Sequence, residues 1–187
     1  MYVTNGKITE ITKQDKPVEK EYDFTGKYVS AGFIDMHTHG AGGYAFMNSS
    51  VEDVIAGCDY HLAHGTTSIV PTISAGSFET MKQAVVNIHK AKNKAKGNIL
   101  GAHLEGPYLS AKQCGAQCPM FITPPQKADY ESLIAEYGES IARWTYAPEN
   151  DENGAFCKYL TKYNIIASAG HTDAVDADMV RAIENGC

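Results

Sequence analysis

The chain has 187 residues, of which 43% are hydrophobic and 20% are charged, and its formal net charge is −6. This composition is ordinary for a globular protein with a real core, and it offers no basic stripe for a nucleic-acid partner. No apolar stretch approaches the ~20 residues needed to span a bilayer, and residues 1–7 do not form a basic-then-apolar leader. We therefore expect a cytoplasmic protein that does not contact a membrane.

The first 30 residues have the pattern of a small β-element outside the main domain. β-Forming residues lie on both sides of Asn5-Gly6, and this dipeptide is a strong signal for a type I′ hairpin. Two further apolar stretches, residues 22–24 and 27–29, predict a second strand pair that turns at Gly26. We therefore divide the chain into residues 1–30 and 31–187.

From residue 31 onward, short apolar strands alternate with amphipathic helices, which is the sequence form of repeated βα units. The predicted strands cover residues 33–39, 68–72, 99–105, 142–147 and 165–170. The first predicted helix has Ser50 as its N-cap and Gly65 just past its end, and the second lies between Ser77 and Gly97. Weaker helical patterns cover residues 130–137, 156–163 and 175–184.

Five βα units in this order predict an α/β fold, an incomplete (β/α)8 TIM-type barrel. At this spacing, about 250 residues are needed to close eight strands, so the 187 residues hold about the first five units. On length alone, an open doubly wound sheet of five strands is also compatible with the pattern.

Potential metal ligands lie at the ends of three predicted strands. Because side chains alternate along a strand, Asp35, His37 and His39 are expected to share one face, and two imidazoles at this spacing can bind one metal ion. Asp35 either orients a ligand imidazole or fixes the strand end. The other reading of the two histidines is a pair that only forms hydrogen bonds at a strand end.

The third and fifth predicted strands also end in potential metal ligands. Glu105 precedes Gly106-Pro107, and a carboxylate on the inner face of a strand needs a cation or hydrogen bonds to offset its desolvation. His103 shares its face, either as a buried histidine bonded to the backbone or as a residue that contacts a ligand or the substrate. His171 follows the fifth strand, so it is expected to converge with Glu105 at the barrel mouth.

At these residues the sequence resembles the N-acetylglucosamine-6-phosphate deacetylases of the amidohydrolase superfamily. The resemblance covers essentially the whole chain, in order and spacing. Its motifs are Gly32-Phe33-Ile34-Asp35-Met36-His37-Thr38-His39-Gly40, His64-Gly65-Thr66-Thr67, His103-Leu104-Glu105-Gly106-Pro107, Gly115-Ala116-Gln117, Ala147-Pro148-Glu149 and Ser168-Ala169-Gly170-His171. The Glu-Gly-Pro strand end followed by Gly-Ala-Gln is much more specific than the His-x-His pair.

The resemblance implies a metal-dependent carbon-nitrogen hydrolase that converts N-acetylglucosamine 6-phosphate to glucosamine 6-phosphate and acetate in amino-sugar catabolism. It implies that Glu105 and His171 bind the main divalent metal, that His37 and His39 are available for a second ion, and that Ala116 and Gln117 contact the sugar. Zinc is the expected metal, with iron, manganese or cobalt as alternatives.

The same resemblance implies that residues 1–30 form part of a small β-sandwich and that the full-length protein is a homo-oligomer, a dimer. A further histidine ligand and the catalytic acid-base aspartate are expected beyond Cys187, as are the residues that hold the phosphate. We therefore expect the 187 residues alone to be inactive.

Two other functions are compatible with the motifs. Cyclic-amide hydrolases of the same superfamily commonly bridge two metals with a carboxylated lysine on the fourth strand, where this chain has Arg143-Trp144-Thr145-Tyr146 and no lysine. A non-catalytic metal-binding module would need only the histidines and Glu105, but an incomplete barrel leaves sheet edges and apolar helix faces uncovered. The deacetylase is the preferred interpretation.

Overall fold

The computed structural model describes residues 1–187 and divides the chain into two units, Met1–Ala31 and Gly32–Cys187. In the first unit, β1 (Tyr2–Thr4) pairs antiparallel with β2 (Lys7–Glu10), and Thr4 lies opposite Lys7. The two turn residues, Asn5 and Gly6, have φ values of 51° and 73°. Positive φ at both positions is the geometry of a type I′ turn, so this predicted hairpin is confirmed.

The predicted second strand pair in the first unit is wrong. Residues 22–24 and 27–29 form no strand, and a single turn hydrogen bond joins the Lys27 amide to the Phe24 carbonyl at 2.9 Å. Tyr22, Phe24 and Tyr28 are exposed. An isolated two-stranded hairpin is marginally stable in water unless an apolar face is covered, so β-forming residues alone did not suffice. The assignment of this unit to part of a β-sandwich stays a prediction.

The second unit is built around one parallel sheet whose five main strands follow one another in space as in sequence, in the order β10-β9-β8-β6-β3. Its elements are β3 (Phe33–Thr38), β4 (Gly40–Ala41), β5 (Tyr44–Ala45), α1 (Val51–Ala63), β6 (Thr66–Ile73), α2 (Phe78–Ala91), β7 (Asn98–Ile99), β8 (Ala102–Glu105), α3 (Lys127–Tyr137), β9 (Ile141–Tyr146), α4 (Ala155–Lys162), β10 (Ile166–Ala169) and α5 (Asp176–Glu184). Short 3-10 turns cover Ala111–Gln113, Pro119–Phe121, Gly138–Ser140 and Pro148–Asn150.

This arrangement confirms the predicted fold class, the first five βα units of a (β/α)8 barrel. β7 pairs with β6 beside the main path, and β4 and β5 form a small antiparallel pair. Short connections through a helix place each parallel strand next to its predecessor. None of the helices combines the length and the apolar character that a membrane crossing requires.

The helix starts follow the predicted capping residues. Ser50 caps α1 by accepting the Asp53 amide at 3.1 Å, and the Asp53 side chain accepts the Ser50 amide in return. Ser77 caps α2 by accepting the Thr80 amide at 3.2 Å. These bonds satisfy amides that have no partner within the helix, which is why a serine at this position fixes the helix start.

The predicted third strand is divided into β7 and β8 at Gly101. This residue has φ 154°, and a Cβ added to it would lie 2.9 Å from the Ala142 amide nitrogen of the neighbouring strand. Only glycine combines this φ with such close backbone approach. The strand therefore breaks there and resumes at Ala102, which sets the register that brings Glu105 to the strand end.

Aromatic side chains fill the core behind the end of β8. Trp144 stacks on Tyr108 with ring centroids 5.7 Å apart, and Phe156 from α4 packs edge-on against both rings. The buried Trp144 indole donates a 2.8 Å hydrogen bond to the Gly106 carbonyl. Because Gly106 directly follows Glu105, this cluster holds the strand end that carries the carboxylate.

Candidate metal centre

Four residues from three strand ends converge at one point on the C-terminal edge of the sheet. Glu105 ends the central strand β8 and is 4% exposed. Its Oε1 lies 3.2 Å from His37 Nε2 and 3.1 Å from His171 Nε2, and its Oε2 lies 3.1 Å from His39 Nε2. The structure therefore brings together all four residues that were predicted as metal ligands.

His37 and His39 reach the carboxylate from β3 and from the residue just past its end. Their ring centroids are 5.4 Å apart. The Ser74 hydroxyl lies 3.1 Å from His39 Nδ1, and the His37 ring packs edge-on against His103 at 4.8 Å. These contacts leave the Nε2 atom of each ring directed at Glu105.

Asp35 does not join the two histidines, and the prediction that it shares their face is wrong. Three steps along β3, from Asp35 to Thr38, match two steps along β6, so β3 contains an extra residue there. Such a bulge reverses the alternation of side chains beyond it. The Asp35 carboxylate accepts the His37 backbone amide at 3.0 Å, and its other oxygen lies 3.9 Å from His61 on α1. Asp35 therefore fixes the strand end and does not orient a ligand ring.

His171 lies two residues past β10 in the left-handed region, with φ 49°. Its Nδ1 is 2.9 Å from the Gln113 carbonyl oxygen. A carbonyl oxygen can only accept, so Nδ1 carries a proton, and in the neutral form of the ring Nε2 is an unprotonated ligand atom that faces Glu105. The loop that carries Gln113 thus sets the tautomer and the orientation of His171.

The unusual backbone at His171 is held by contacts with two other loops. The Ser110 amide donates to the His171 carbonyl at 2.8 Å. Glu149, after β9, accepts the Asp173 amide at 2.7 Å and the Thr172 hydroxyl through its second oxygen. Strained backbone of this kind persists when its surroundings determine it, and the loops after β8 and β9 do so here.

His103 is fully buried below the His37 ring. Its Nδ1 is 3.1 Å from the Thr72 hydroxyl and its Nε2 is 2.7 Å from the Thr145 hydroxyl. Burial is the largest cause, and the nearby Arg143 the next, of a lowering of the His103 pKa to about 3. His103 is therefore neutral. Hydrogen bonds to two hydroxyls, and not to the backbone, hold its ring against His37.

The loop after β8 carries the two residues that were predicted to contact the sugar. Ala116 is exposed and Gln117 is buried. The Gln117 amide donates to Glu105 Oε2 at 2.7 Å and accepts the Ala75 backbone amide at 2.9 Å. Gly115, with φ 57°, passes close to the His171 ring. The predicted sugar contacts of Ala116 and Gln117 stay predictions.

Several supporting residues were absent from the sequence-based site, namely Ser74, Thr72, Thr145, Gln113 and Glu149. Most of them share a position with the ligands, since they lie at or just beyond the ends of neighbouring parallel strands. That position was the available signal. Short polar side chains are common at strand ends, so a position at a strand end does not by itself show which of them support the ligands.

The donor set fits a divalent cation. The ligand atoms of His37, His39 and Glu105 all lie within 4.8 Å of one another. Ligand atoms bound to one ion at about 2.1 Å are separated by roughly 3.0–3.4 Å, which matches the distances of 3.1 Å and 3.2 Å around Glu105. His171 Nε2 lies 3.1 Å from a Glu105 carboxylate oxygen, and this contact needs either a proton on Nε2 or a cation between the two atoms.

Comparison with known proteins agrees with the fold. The model of the amidohydrolase family, whose members depend on metal, matches residues 28–184. N-acetylglucosamine-6-phosphate deacetylase of Haemophilus influenzae is 35% identical over 92% of this chain and 46% of its own length, and that of Bacillus subtilis is 32% identical over 98% and 48%. The chain thus spans about half the length of these curated relatives.

Solved structures give the same result. N-acetyl-D-glucosamine-6-phosphate deacetylase of Mycobacterium smegmatis superposes with a TM-score of 0.79 at 30% identity, over 84% of this chain and 41% of that one. The corresponding Pasteurella multocida enzyme gives a TM-score of 0.78 at 32% identity, over the same shares of the two chains. The resemblance to the deacetylases is confirmed. By the match over residues 28–184, this chain belongs to the amidohydrolase family.

Proposed function

We propose that the protein is a metal-dependent deacetylase that hydrolyses the acetamido group of N-acetylglucosamine 6-phosphate to glucosamine 6-phosphate and acetate. The observation that carries this proposal is the buried Glu105 carboxylate with the Nε2 atoms of His37, His39 and His171 within 3.2 Å. The relatives to which this chain is similar are named as deacetylases of this substrate. A small amino-sugar phosphate is therefore the proposed partner.

In this proposal, Glu105 and His171 hold the main metal ion, and His37 and His39 are available for a second ion. Glu105 can serve both, because its Oε1 lies within 3.2 Å of both His171 and His37 and its Oε2 lies 3.1 Å from His39. A bound divalent ion lowers the pKa of water to about 7 and polarises the amide carbonyl. Thr72 and Thr145 keep His103 in place below His37, so that the ligand rings need no reorganisation.

Zinc is the proposed metal, because imidazole and carboxylate ligands suit it, and iron, manganese and cobalt suit the same ligands. The predicted acid-base aspartate, the further histidine and the phosphate-binding residues are expected after Cys187. Accordingly, the 187 residues alone are expected to bind metal without turnover. Dimer formation and a cytoplasmic location stay predictions.

The test measures acetate release from N-acetylglucosamine 6-phosphate with added zinc or cobalt. It compares the 187-residue chain with a version that includes the residues encoded after Cys187. We expect equal amounts of acetate and glucosamine 6-phosphate from the longer version, loss of activity after chelation, and little activity from the shorter one.

Two controls separate the alternatives. N-acetylglucosamine without the phosphate tests whether the phosphate is recognised, and hydantoin tests for cyclic-amide hydrolysis. Turnover of hydantoin alone would replace the deacetylase with a cyclic-amide hydrolase. Metal binding without turnover of either substrate by the longer version would favour a metal-binding module.

A further inference from the structure

Gln117 is the one side chain outside the predicted ligands that forms a hydrogen bond to the Glu105 carboxylate. It is 8% exposed and comes from the loop after β8. Its amide spans two partners, Glu105 Oε2 at 2.7 Å and the Ala75 backbone amide at 2.9 Å. Ala75 follows β6, so this side chain links the ends of two neighbouring strands.

The Ala75 contact fixes which way the Gln117 amide faces. A backbone N–H can only donate, so the carbonyl oxygen of the Gln117 amide must face Ala75. The amide NH2 group is then directed at Glu105, where the carboxylate Oε2 accepts its hydrogen bond. Each partner thus enforces the bond to the other, and no flipped amide satisfies both.

This bond restricts the orientation of the Glu105 carboxylate. Oε2 is held between Gln117 and His39, which directs Oε1 at His37 and His171. The same loop orients His171 through the Gln113 carbonyl. One loop therefore sets the direction of two predicted ligands, by a side-chain bond to Glu105 and a backbone bond to His171.

We propose that Gln117 is a positioning residue for the metal-binding carboxylate of Glu105, a role distinct from the sugar contact that the sequence resemblance implies. The inference rests on the metal site of the proposed function. The physical reason is that the Glu105 carboxylate is already held by the hydrogen bond from Gln117, so it loses little further rotational freedom when it binds a cation. Groups that orient metal ligands in this way typically contribute 10–100-fold to metal affinity.

The test uses Co²⁺ as a spectroscopic probe of the 187-residue chain. Co²⁺ is titrated into the wild type and into Gln117→Met, Gln117→Asn and Gln83→Met, with affinity measured by calorimetry and ligand geometry by visible absorption. Gln83 is an exposed glutamine on α2 whose side chain bonds only Asn87 on the same helix, so it is the matched control. Far-UV circular dichroism verifies folding of each metal-free variant.

We expect both Gln117 variants to bind Co²⁺ about 10–100-fold more weakly, with an altered absorption spectrum, and Gln83→Met to match the wild type. Methionine fills the same volume without hydrogen bonds, and asparagine is too short to reach both partners. If the buried methionine prevents folding, the smaller and polar asparagine variant decides the matter.

Unchanged Co²⁺ affinity and spectrum in a folded Gln117 variant would overturn the inference and leave the proposed function intact. That result would favour the sugar contact. A wild-type chain that does not bind Co²⁺ would instead overturn the metal site itself, and with it both proposals.

Discussion

The Glu105 carboxylate is buried and is surrounded by three imidazoles and an amide. Burying an ionised carboxylate is costly unless hydrogen bonds or a cation compensate it. The Gln117 amide supplies one hydrogen bond, whereas a neutral His171 ring cannot supply another, because its Nδ1 proton is bonded to Gln113. A cation bound by Glu105 and His171 would compensate the buried charge, so metal binding and stability are expected to be coupled at this residue.

Added zinc should therefore raise the free energy of unfolding of the wild type, by about 2.7 kcal/mol at a free concentration of 100 times the Kd. Glu105→Gln should remove this stabilisation, because zinc is bound by thiolate, imidazole and carboxylate groups and a neutral amide offsets no positive charge. Glu136→Gln is the control, since Glu136 pairs with Lys82 on the surface. Thermal unfolding with and without zinc measures the effect, and an equal zinc response in all three proteins would contradict it.

Among individual residues, the sequence predicted the metal ligands better than the residues that hold those ligands in place. His37, His39, Glu105 and His171 were found because parallel strands end at a common edge, which is a property of the fold class. Asp35 was misplaced, because an extra residue in β3 is invisible in the sequence pattern. The bonds of Gln117 join loops that are far apart in the chain, and local periodicity carries no information on such contacts.

At the scale of elements, α4 depends on a carboxylate that precedes it. The buried Asp151 accepts the Phe156 amide at 3.1 Å and the Cys157 amide at 3.0 Å, in the first turn of the helix. Those amides have no partner within the helix. The bonds fix α4 so that Phe156 packs against Trp144, which in turn bonds Gly106 next to the carboxylate.

Asp151→Ala should therefore lower the free energy of unfolding by about 2 kcal/mol, because it leaves buried amides unsatisfied. Asp151→Asn keeps one acceptor oxygen and should lose about half as much. The neighbouring Glu152 is exposed, and Glu152→Ala should change stability by less than about 0.5 kcal/mol. Urea unfolding followed by circular dichroism gives the ranking, and equal midpoints for Asp151→Ala and Glu152→Ala would refute the capping role.

Elements with a local signal were predicted, including the three helices with weaker patterns, which form as α3, α4 and α5. The capped helices and the Asn5-Gly6 hairpin follow from residues that are adjacent in the sequence. The strand pair expected around Gly26 lacks a covered apolar face, and the break at Gly101 depends on the neighbouring strand. Both outcomes are set by tertiary packing, which residue patterns do not report.

At the scale of the second unit, the sheet ends in two strands, β3 and β10, that each pair with another strand on one side only. Apolar side chains are exposed at both ends. They are Phe33, Ile34 and Met36 on β3, Ile166 on β10, and Val180 and Ile183 on α5. A closed barrel has no edge strands, whereas an open edge with exposed apolar residues is a template for association with other chains.

We therefore expect the 187-residue chain to self-associate as its concentration rises, through these edges. Ile34→Lys on β3 and Ile183→Lys on α5 should each reduce the association, because a lysine at either position must be desolvated when another chain covers the exposed apolar side chains. Ile11→Lys is the control, since Ile11 is 80% exposed in the first unit and its substitution changes the net charge equally. Analytical ultracentrifugation over a concentration series compares the four proteins. Because the substituted residues are exposed, thermal unfolding should be similar in all of them, and a wild type that stays monomeric would show that the edges are protected in another way.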